Sequence, residues 1–496
     1  MERKNAWKKY TDEKPARGGR KNAKAAKPSL AQLEEVCAGY IDYLSTCKTE
    51  RLAVEFAIKK ASKAGYKPLA DAVAKGRKLK AGAKLWADIG GKSVVLVQLG
   101  KRPMEEGLNI LGAHIDSPRL DIKQNPLYET SDMTLLDTHY YGGIKTYQWV
   151  TMPLALYGVV VKKSGEVVKV AIGDDPADPV FCVTDLLPHL GAEQMKKPGS
   201  KLIEGESLDL LFGSKPLVVA EADVERIKKK KNQSYADELK VMSAKDGVKA
   251  NVLSILLEEY GIEEEDFLSA ELEVVPAGRA RELGIDRAMI LGYGQDDSAC
   301  AYPSLMAQLA VEAPERTSVC ILVDKEEIGS VGATGMTSLF FENTIAEIME
   351  LAGEGGQLAL RRCLANSNML SSDVSAGFDP AYALVFEEKN AAFCGRGLVF
   401  NKYVGSGGKS GSNDANAEYM AFLRRVMDEA GVAFQTAEIG RVNAGGGGTI
   451  AYILAKYGMN VIDSGVPVLS MHSPWEVTSK VDIYEAYLGY QAFLRA

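Results

Sequence analysis

Apolar residues in the N-terminal part of the chain recur three and four positions apart. Over residues 29–44 this spacing predicts an amphipathic helix, and Ser29 with Gln32 forms a capping-box pattern at its start. A second helix is predicted over residues 50–63. Short apolar runs between polar turns then predict strands at 94–99 and 108–111.

The pattern changes over residues 125–280. Segments such as PLALYGVVVKKSGEVVKVAIG are short, β-rich and broken by glycine and charged turns. Beyond residue 280, predicted strands and helices alternate, which is typical of an α/β sheet. The sequence therefore predicts one α/β domain in two pieces, 29–124 and 281–496, with a mostly β domain, 125–280, inserted between them.

The length and net charge of the chain indicate how many domains it has and which kinds of partner it does not bind. The chain has 496 residues, which favours more than one domain, and a net charge of −7, which argues against binding to nucleic acid. No apolar run approaches the ~20 residues of a membrane helix. Residues 1–28 are basic but contain no apolar core, so we interpret them as a partly disordered arm and not as a secretory signal.

The seven cysteines are scattered, and none forms a C-x-x-C pair. Several lie in apolar stretches, such as Cys320 in SVCILV. This pattern is typical of buried thiols in a reducing compartment and predicts a cytoplasmic protein.

Two of the four histidines follow predicted strands directly. His114 follows LNILGA, and His472 follows VPVLSM. Acidic residues follow apolar runs elsewhere, at Asp296, at the Glu326-Glu327 doublet of VCILVDKEEIGS and at Asp373. In open α/β sheets the carboxyl ends of strands line the ligand crevice, so these side chains are candidates for one site.

Each position taken alone has a simpler interpretation, as a helix cap, a solvated turn or a non-ligand histidine. Their coincidence at five strand ends instead favours a site for two divalent metal ions, because imidazole nitrogen and carboxylate oxygen are ligands of zinc and similar ions. The His114-x-Asp116 spacing would let Asp116 orient the histidine ring. Adjacent residues of an extended strand point in opposite directions, which favours different roles for the two glutamates.

Longer motifs resemble the aspartyl aminopeptidases, metallopeptidase family eighteen, and especially their bacterial branch. The resemblance covers roughly residues 30–490, and the motifs follow the family order: GAHIDSPRLDIK, YGGI, LDLLFGS, GYGQDDSACAY, DKEEIGSVGATG, SSDVSAGFDPAY, GGGGTI and DSGVPVLSMHS. It implies a mixed-sheet α/β catalytic domain of a two-metal exopeptidase, with the inserted domain used for dimerisation. It also implies a homo-oligomer, a tetrahedral dodecamer built from dimers.

The resemblance implies five metal ligands. His114, Asp296 and Asp373 would hold one ion. Asp296, Glu327 and His472 would hold the other, so that Asp296 bridges the two. The ions are expected to be zinc, with cobalt or manganese as alternatives.

The resemblance also implies roles for residues beside the metals. Glu326 would be the general base and Asp116 the partner of His114. Lys402, in GLVFNKY, and His189, in LLPHLG, would contact the substrate, His189 from a neighbouring subunit; a structural role for His189 is an equal alternative. His139 has no role in the family pattern.

Three departures from the family pattern affect the substrate side of the site. Relatives often read Asp-Asn where this chain has Asp296-Asp297, carry a histidine in the segment that is VSAGF here, and read Arg-Asn-Asp where this chain has Arg441-Val442-Asn443. The preference for acidic N-terminal residues is therefore left open.

The predicted function is hydrolysis of the first peptide bond of peptides with a free N-terminus. One alternative is a two-metal carboxypeptidase or deacylase on the same scaffold. Another is a non-catalytic assembly or shell protein, which the complete set of candidate ligands argues against.

Overall fold

The computed structural model describes residues 4–11 and 29–496. The chain forms two compact units. Unit 1 contains the residues up to Ser117 with Ala280–Met471 and Trp475–Ala496, and unit 2 contains Pro118–Arg279 and His472–Pro474.

The α-helices of the described residues are numbered in chain order. They are α1 (Lys8–Thr11), α2 (Leu30–Thr46), α3 (Glu50–Lys63), α4 (Leu69–Ala74), α5 (Glu221–Lys228), α6 (Tyr235–Met242), α7 (Gly247–Tyr260), α8 (Gln295–Ala310), α9 (Phe340–Ala352), α10 (Gln357–Ala365), α11 (Ser406–Lys409), α12 (Ala417–Ala430), α13 (Ala451–Ala455) and α14 (Lys480–Arg495).

The strands are numbered in the same way. They are β1 (Lys67–Pro68), β2 (Lys84–Ile89), β3 (Ser93–Gln98), β4 (Asn109–His114), β5 (Arg119–Thr130), β6 (Met133–Tyr141), β7 (Leu154–Val161), β8 (Val167–Ile172), β9 (Leu210–Gly213), β10 (Ala270–Pro276), β11 (Arg281–Leu283), β12 (Met289–Gly292), β13 (Ser318–Val323), β14 (Asn368–Ser371), β15 (Ser375–Ala376), β16 (Leu398–Asn401), β17 (Phe434–Ala437), β18 (Asn460–Gly465), β19 (Pro467–Val468) and β20 (Glu476–Ser479).

Unit 1 is built on a nine-stranded sheet with the order β1-β2-β3-β13-β4-β14-β18-β16-β17. The four central strands β13, β4, β14 and β18 run parallel, whereas β3 and β16 pair antiparallel with their neighbours in this core. The predicted mixed-sheet α/β fold is therefore confirmed. A small three-stranded sheet, β11-β12-β20, and the parallel pair β15-β19 complete the unit.

Strand β13 shows how the sequence produces a sheet covered on both faces. Its residues are all buried, and successive side chains point to opposite faces. Cys320 and Leu322 pack in the core cluster that includes residues of α2, α3, α8, α12 and α14. Val319, Ile321 and Val323 pack in the cluster that includes residues of α4, α9, α10 and α13.

The two helices predicted near the N-terminus, α2 and α3, begin and end close to their predicted positions. Ser29 Oγ accepts from the Gln32 amide at 3.2 Å, and the Ser29 amide donates to Gln32 Oε1 at 3.0 Å, which confirms the capping box. Such a cap stabilises a helix by about 1 kcal/mol. Thr49 caps α3 in a similar way by accepting from the Leu52 amide.

Unit 2 contains a six-stranded antiparallel sheet with the order β8-β7-β10-β5-β6-β9. Helices α5, α6 and α7 lie between β9 and β10 in the chain, so the unit is not made of strands alone. Arg119 of β5 lies against the buried carboxylate of Glu273 in β10, with 3.2 Å between Nε and Oε2. The guanidinium also stacks on the Tyr141 ring, 3.9 Å from its centroid.

Part of the predicted N-terminal arm is ordered against unit 1. Tyr10 is buried, and Lys9 Nζ donates to the carboxylate of Glu485 in α14 at 2.6 Å. Residues 1–3 and 12–28 of the predicted arm lie outside the described residues. All seven cysteines are free thiols. Among the residues described, no helix combines the length and apolar character needed to cross a membrane.

Candidate metal centre

Three neighbouring parallel strands deliver candidate ligands to one edge of the large sheet. His114 is the last residue of β4 and pairs with Val323, the last residue of β13. The glutamate doublet follows β13 after two residues, and Asp373 follows β14 after one. Because parallel strands end at the same edge of a sheet, these side chains converge there.

Asp296 reaches the same place from the start of α8. Strand β12 leaves the small sheet through Gly294, whose φ of 70° is a left-handed conformation that suits glycine. A Cβ atom at Gly294 would also lie only 2.9 Å from Ser117 Oγ. The turn brings Asp296 Oδ1 to 3.1 Å from His114 Nε2.

His114, Asp296 and Asp373 form a compact donor group. One ligand atom of each lies within 4.8 Å of the others, and all three residues are buried. His114 also forms such a group with Glu326 and Glu327, which are half-buried. An imidazole nitrogen surrounded by carboxylate oxygens suits zinc and related divalent cations, so the residues present fit a metal ion.

Asp116 organises both His114 and the glutamate doublet. His114 Nδ1 lies 3.0 Å from the carbonyl oxygen of Asp116 and 3.5 Å from its carboxylate. A carbonyl oxygen only accepts, so Nδ1 carries a proton, and Nε2 is the ring nitrogen that faces Asp296 and is placed to bind a metal ion. The Asp116 carboxylate accepts from the amides of Glu326 and Glu327, each at 3.1 Å. The sequence predicts that the Asp116 side chain orients the His114 ring, and in the structure the Asp116 carbonyl oxygen lies nearer to Nδ1 than the carboxylate does.

The sequence predicts that the glutamate doublet lies on an extended strand, but in the structure it does not. Lys325 has a φ of 71°, which ends the strand, and Glu326–Ile328 form a turn of 3₁₀-helix. Successive side chains in such a turn are separated by about a third of a rotation. The two glutamate side chains therefore still point in different directions, because of the 3₁₀ turn and not because of strand geometry.

Burial and charge perturb the acids around His114. Burial raises the pKa of Asp373 well above its ordinary value, and the neighbouring Asp297 raises it further. Burial likewise raises the pKa of Asp297. Burial opposes protonation of His114, but hydrogen bonds with Asp116 and Asp296 more than offset it and raise the pKa of the ring. Closely spaced carboxylates around one imidazole are an arrangement that a divalent cation would stabilise.

Several residues at the site were missed by the sequence argument. The Asp297 carboxylate accepts from the His114 amide at 3.2 Å, whereas in the sequence Asp297 stands out only as a departure from the family pattern. Ser117 and Glu476 contact the main chain of Asp296. No local pattern marks these residues, since their partners are distant in the chain.

Asp324 supports the turn after β13. Its carboxylate is buried and accepts from Thr334 Oγ1 at 2.6 Å and from Lys325 Nζ at 3.1 Å. These bonds tie the strand end to the segment that follows the doublet.

The remaining predicted site residues have different surroundings. His472 belongs to unit 2, where its Nδ1 lies 2.8 Å from the Gly143 carbonyl oxygen. His189 is exposed in unit 2. Lys402 forms an ion pair with Asp414, which also binds Lys409 at 2.9 Å. His139 is exposed and contacts its neighbour Tyr140, with Nδ1 2.8 Å from the carbonyl oxygen.

Histidine and carboxylate donors at the carboxyl edge of an α/β sheet are the arrangement on which metal-dependent hydrolases are built. The chain belongs to the family described as aminopeptidase I zinc metalloprotease (M18), whose model matches residues 43–494. The predicted family and enzyme class are thus confirmed: the chain is an aminopeptidase, a hydrolase of peptide bonds. A carboxypeptidase, deacylase or shell protein is not favoured.

Individual relatives match over nearly the whole chain. A probable M18 family aminopeptidase 1 of Clostridium acetobutylicum is 54% identical over 496 residues, which are 99% of this chain and 98% of the relative. A crystal structure of an M18 aminopeptidase from Thermotoga maritima is 39% identical with a TM-score of 0.87, covering 100% of this chain and 99% of that one. A structure of the mApe1 dodecamer of S. cerevisiae is 19% identical with a TM-score of 0.71, covering 93% and 96%, and shows the same fold.

Proposed function

We propose that this aminopeptidase works with two divalent metal ions and removes the N-terminal residue of peptides with a free α-amine. The observation that carries the proposal is the convergence of His114, Asp296 and Asp373 within 4.8 Å, with the glutamate doublet held beside them by Asp116. The family description as zinc metalloproteases supports metal use.

The proposed ligands follow the family resemblance. His114, Asp296 and Asp373 would hold one ion, and Asp296, Glu327 and His472 the other, with Asp296 shared. His472 follows Met471 of unit 1 directly in the chain. Zinc is the first candidate, and cobalt and manganese suit the same donors.

Bound ions of this kind polarise a carbonyl group and lower the pKa of water, which is the chemistry they would supply here. Glu326 would take a proton from the attacking water and return it to the leaving amine. Its carboxylate is half-buried, and its amide is fixed on Asp116. Asp116 would thus hold the base in place and keep the His114 ring in the tautomer that leaves Nε2 free of a proton.

The surroundings of Lys402 argue against a strong preference for acidic N-terminal residues. Lys402, which the resemblance implies would contact such a side chain, is paired with Asp414. Hydrogen bonds from Lys402 and Lys409 lower the pKa of Asp414, so this carboxylate is ionised and neutralises part of the local positive charge. We therefore propose that acidic residues are accepted without being strongly preferred.

Assembly and location are proposed on the family resemblance. The chain would form dimers through unit 2 and dodecamers from dimers, and the dodecamer of yeast mApe1, which shares the fold, supports this assembly. His189, exposed in unit 2, would then reach a neighbouring subunit's active site. A cytoplasmic location agrees with seven free cysteines.

A panel of aminoacyl chromogenic substrates tests the function. Each substrate is offered with a free and with an acetylated α-amine, after the protein is stripped with chelator and reloaded with zinc, cobalt or manganese. Hydrolysis of the free-amine series alone is expected, with activity restored by metal. Equal hydrolysis of acetylated substrates, or full activity in chelator, would refute the proposal.

A further inference from the structure

The main chain of Asp296 is fixed on both sides. Its amide donates to Glu476 Oε2 at 3.1 Å, and its carbonyl oxygen accepts from Ser117 Oγ at 2.8 Å. Glu476 is only 1% exposed, so this carboxylate works in an environment that largely excludes water. A hydrogen bond in such surroundings is stronger than the same bond in contact with water.

The residue before Asp296 is fixed to the same strands. The Gln295 side-chain nitrogen donates to the carbonyl oxygens of Glu476, at 2.6 Å, and Ile290, at 3.1 Å. Its side-chain oxygen accepts from Thr478 Oγ1 at 2.5 Å and Tyr40 Oη at 3.2 Å. Gln295 is fully buried, and its amide group is saturated with partners.

Strand pairing explains why Glu476 occupies this position. Glu476 opens β20 and pairs with Gly292, the last residue of β12, in the small antiparallel sheet. Its side chain therefore stands where the chain leaves β12 and turns through Gly294 into α8. The carboxylate holds the turn that carries Asp296 to His114.

We infer that Glu476 is a positioning residue of the metal centre, and that Ser117 assists it by binding the next peptide group along the main chain of Asp296. The inference rests on the proposed function in one respect, that Asp296 is a metal ligand. Partners behind a ligand commonly contribute 10- to 100-fold to metal affinity, because they fix the direction in which the ligand atom points.

The side chain of Glu476 accepts from the main chain of Asp296, so a positioning role would act on the metal through the position of that backbone. In Glu476→Ala the Asp296 amide loses its buried acceptor, and the turn is expected to shift. Glu476→Gln keeps an acceptor oxygen of similar reach. A role in positioning therefore predicts partial rescue by glutamine, whereas a role in net charge alone predicts none.

The experiment uses the full chain with Glu476→Ala, Glu476→Gln, Ser117→Ala and the control Asp482→Asn. Asp482 is also a fully buried carboxylate that accepts from backbone amides, those of Gly395 and Gly397, but it contacts no predicted ligand. Cobalt affinity is measured by competition with a chromophoric chelator, and the cobalt absorption spectrum reports ligand geometry. Melting temperature in excess chelator reports the stability of the metal-free fold.

Glu476→Ala is expected to weaken cobalt binding about 10- to 100-fold and to change the cobalt spectrum. Glu476→Gln should recover most of the affinity, Ser117→Ala should lose less than Glu476→Ala, and Asp482→Asn should bind as the parent does. In a further variant that combines Ser117→Ala with Glu476→Ala, the two losses should not add, because both side chains fix the main chain of the same residue, Asp296.

Unchanged cobalt affinity and spectrum in Glu476→Ala would overturn the inference, as would an equal loss in Asp482→Asn that follows the melting temperature. Failure of the two-metal proposal looks different. A parent protein that binds only one cobalt ion contradicts that proposal, yet a Glu476-dependent affinity of that single ion would still support the positioning role.

Discussion

Oδ1 of Asp116 accepts a hydrogen bond from the backbone amide of Glu326, with 3.1 Å between the two atoms. The same side chain lies beside the ring of His114, 3.5 Å from Nδ1. One buried carboxylate therefore connects the proposed base to a proposed ligand. The positions of base and metal should consequently respond together when Asp116 is changed.

Asp116→Ala tests this connection. We expect metal affinity to fall by about 10-fold, because the amide of Glu327 loses its acceptor and the His114 ring loses the nearby carboxylate, although it keeps the Asp116 carbonyl oxygen. Turnover at saturating metal should also fall, because the amides of the glutamate doublet lose their acceptor. Metal titrations and rates at saturating zinc separate the two effects. Full turnover at saturating metal would contradict the proposed role in holding Glu326.

Glu327→Ala tests whether Glu327 binds metal while Glu326 serves as the base. Removing this carboxylate should lower the metal content of the purified protein from two ions to one per chain, because one ion loses a ligand while His114, Asp296 and Asp373 are retained. Metal analysis by mass spectrometry gives the count, and Glu418→Ala, an exposed acid on α12, is the control. A variant that still holds two ions would refute the ligand role of Glu327.

The buried carboxyl of Asp482 should make the free energy of unfolding depend on pH even without bound metal. Burial raises the pKa of this carboxyl to about 8, although the amides of Gly395 and Gly397 oppose the shift and Glu485 adds to it. The folded state thus keeps a proton that the unfolded state releases near the ordinary value of 3.8. The contribution of Asp482 to the free energy of unfolding is therefore greatest at low pH and is lost as pH rises toward about 8.

Asp482→Asn should flatten that part of the stability curve, since the amide does not titrate. The melting temperature of parent and variant is followed in chelator from about pH 5 to about pH 9, and the difference between the two proteins isolates this group. The fall in melting temperature should be smaller in the variant. Parallel curves for the two proteins would contradict the prediction.

Much of the fold could be predicted because its signals are local. The helix starting at Ser29 is set by a cap three residues long and a stripe of apolar side chains, and both appear in the structure. Buried runs such as β13 are marked by composition alone. The strand order could not be predicted, because pairings such as β13 with β4 join segments about two hundred positions apart.

The site was predictable where chemistry and strand ends coincide. His114, Asp296 and Asp373 are rare or charged residues next to apolar runs, and the structure brings them together. Glu476 and Ser117 carry no such signal. Their contacts with Asp296 span 180 and 179 positions, so only the folded chain reveals them.

The central claim is that Glu326 moves the proton while its neighbour binds metal, and Glu326→Gln tests it most directly. The measurement is turnover of a free-amine substrate by protein whose metal content is determined in the same sample. The proposed mechanism predicts two ions per chain, as in the parent, and a rate lower by about 10²- to 10⁴-fold, because the amide cannot accept the proton. Near-parental turnover at full metal content would contradict it.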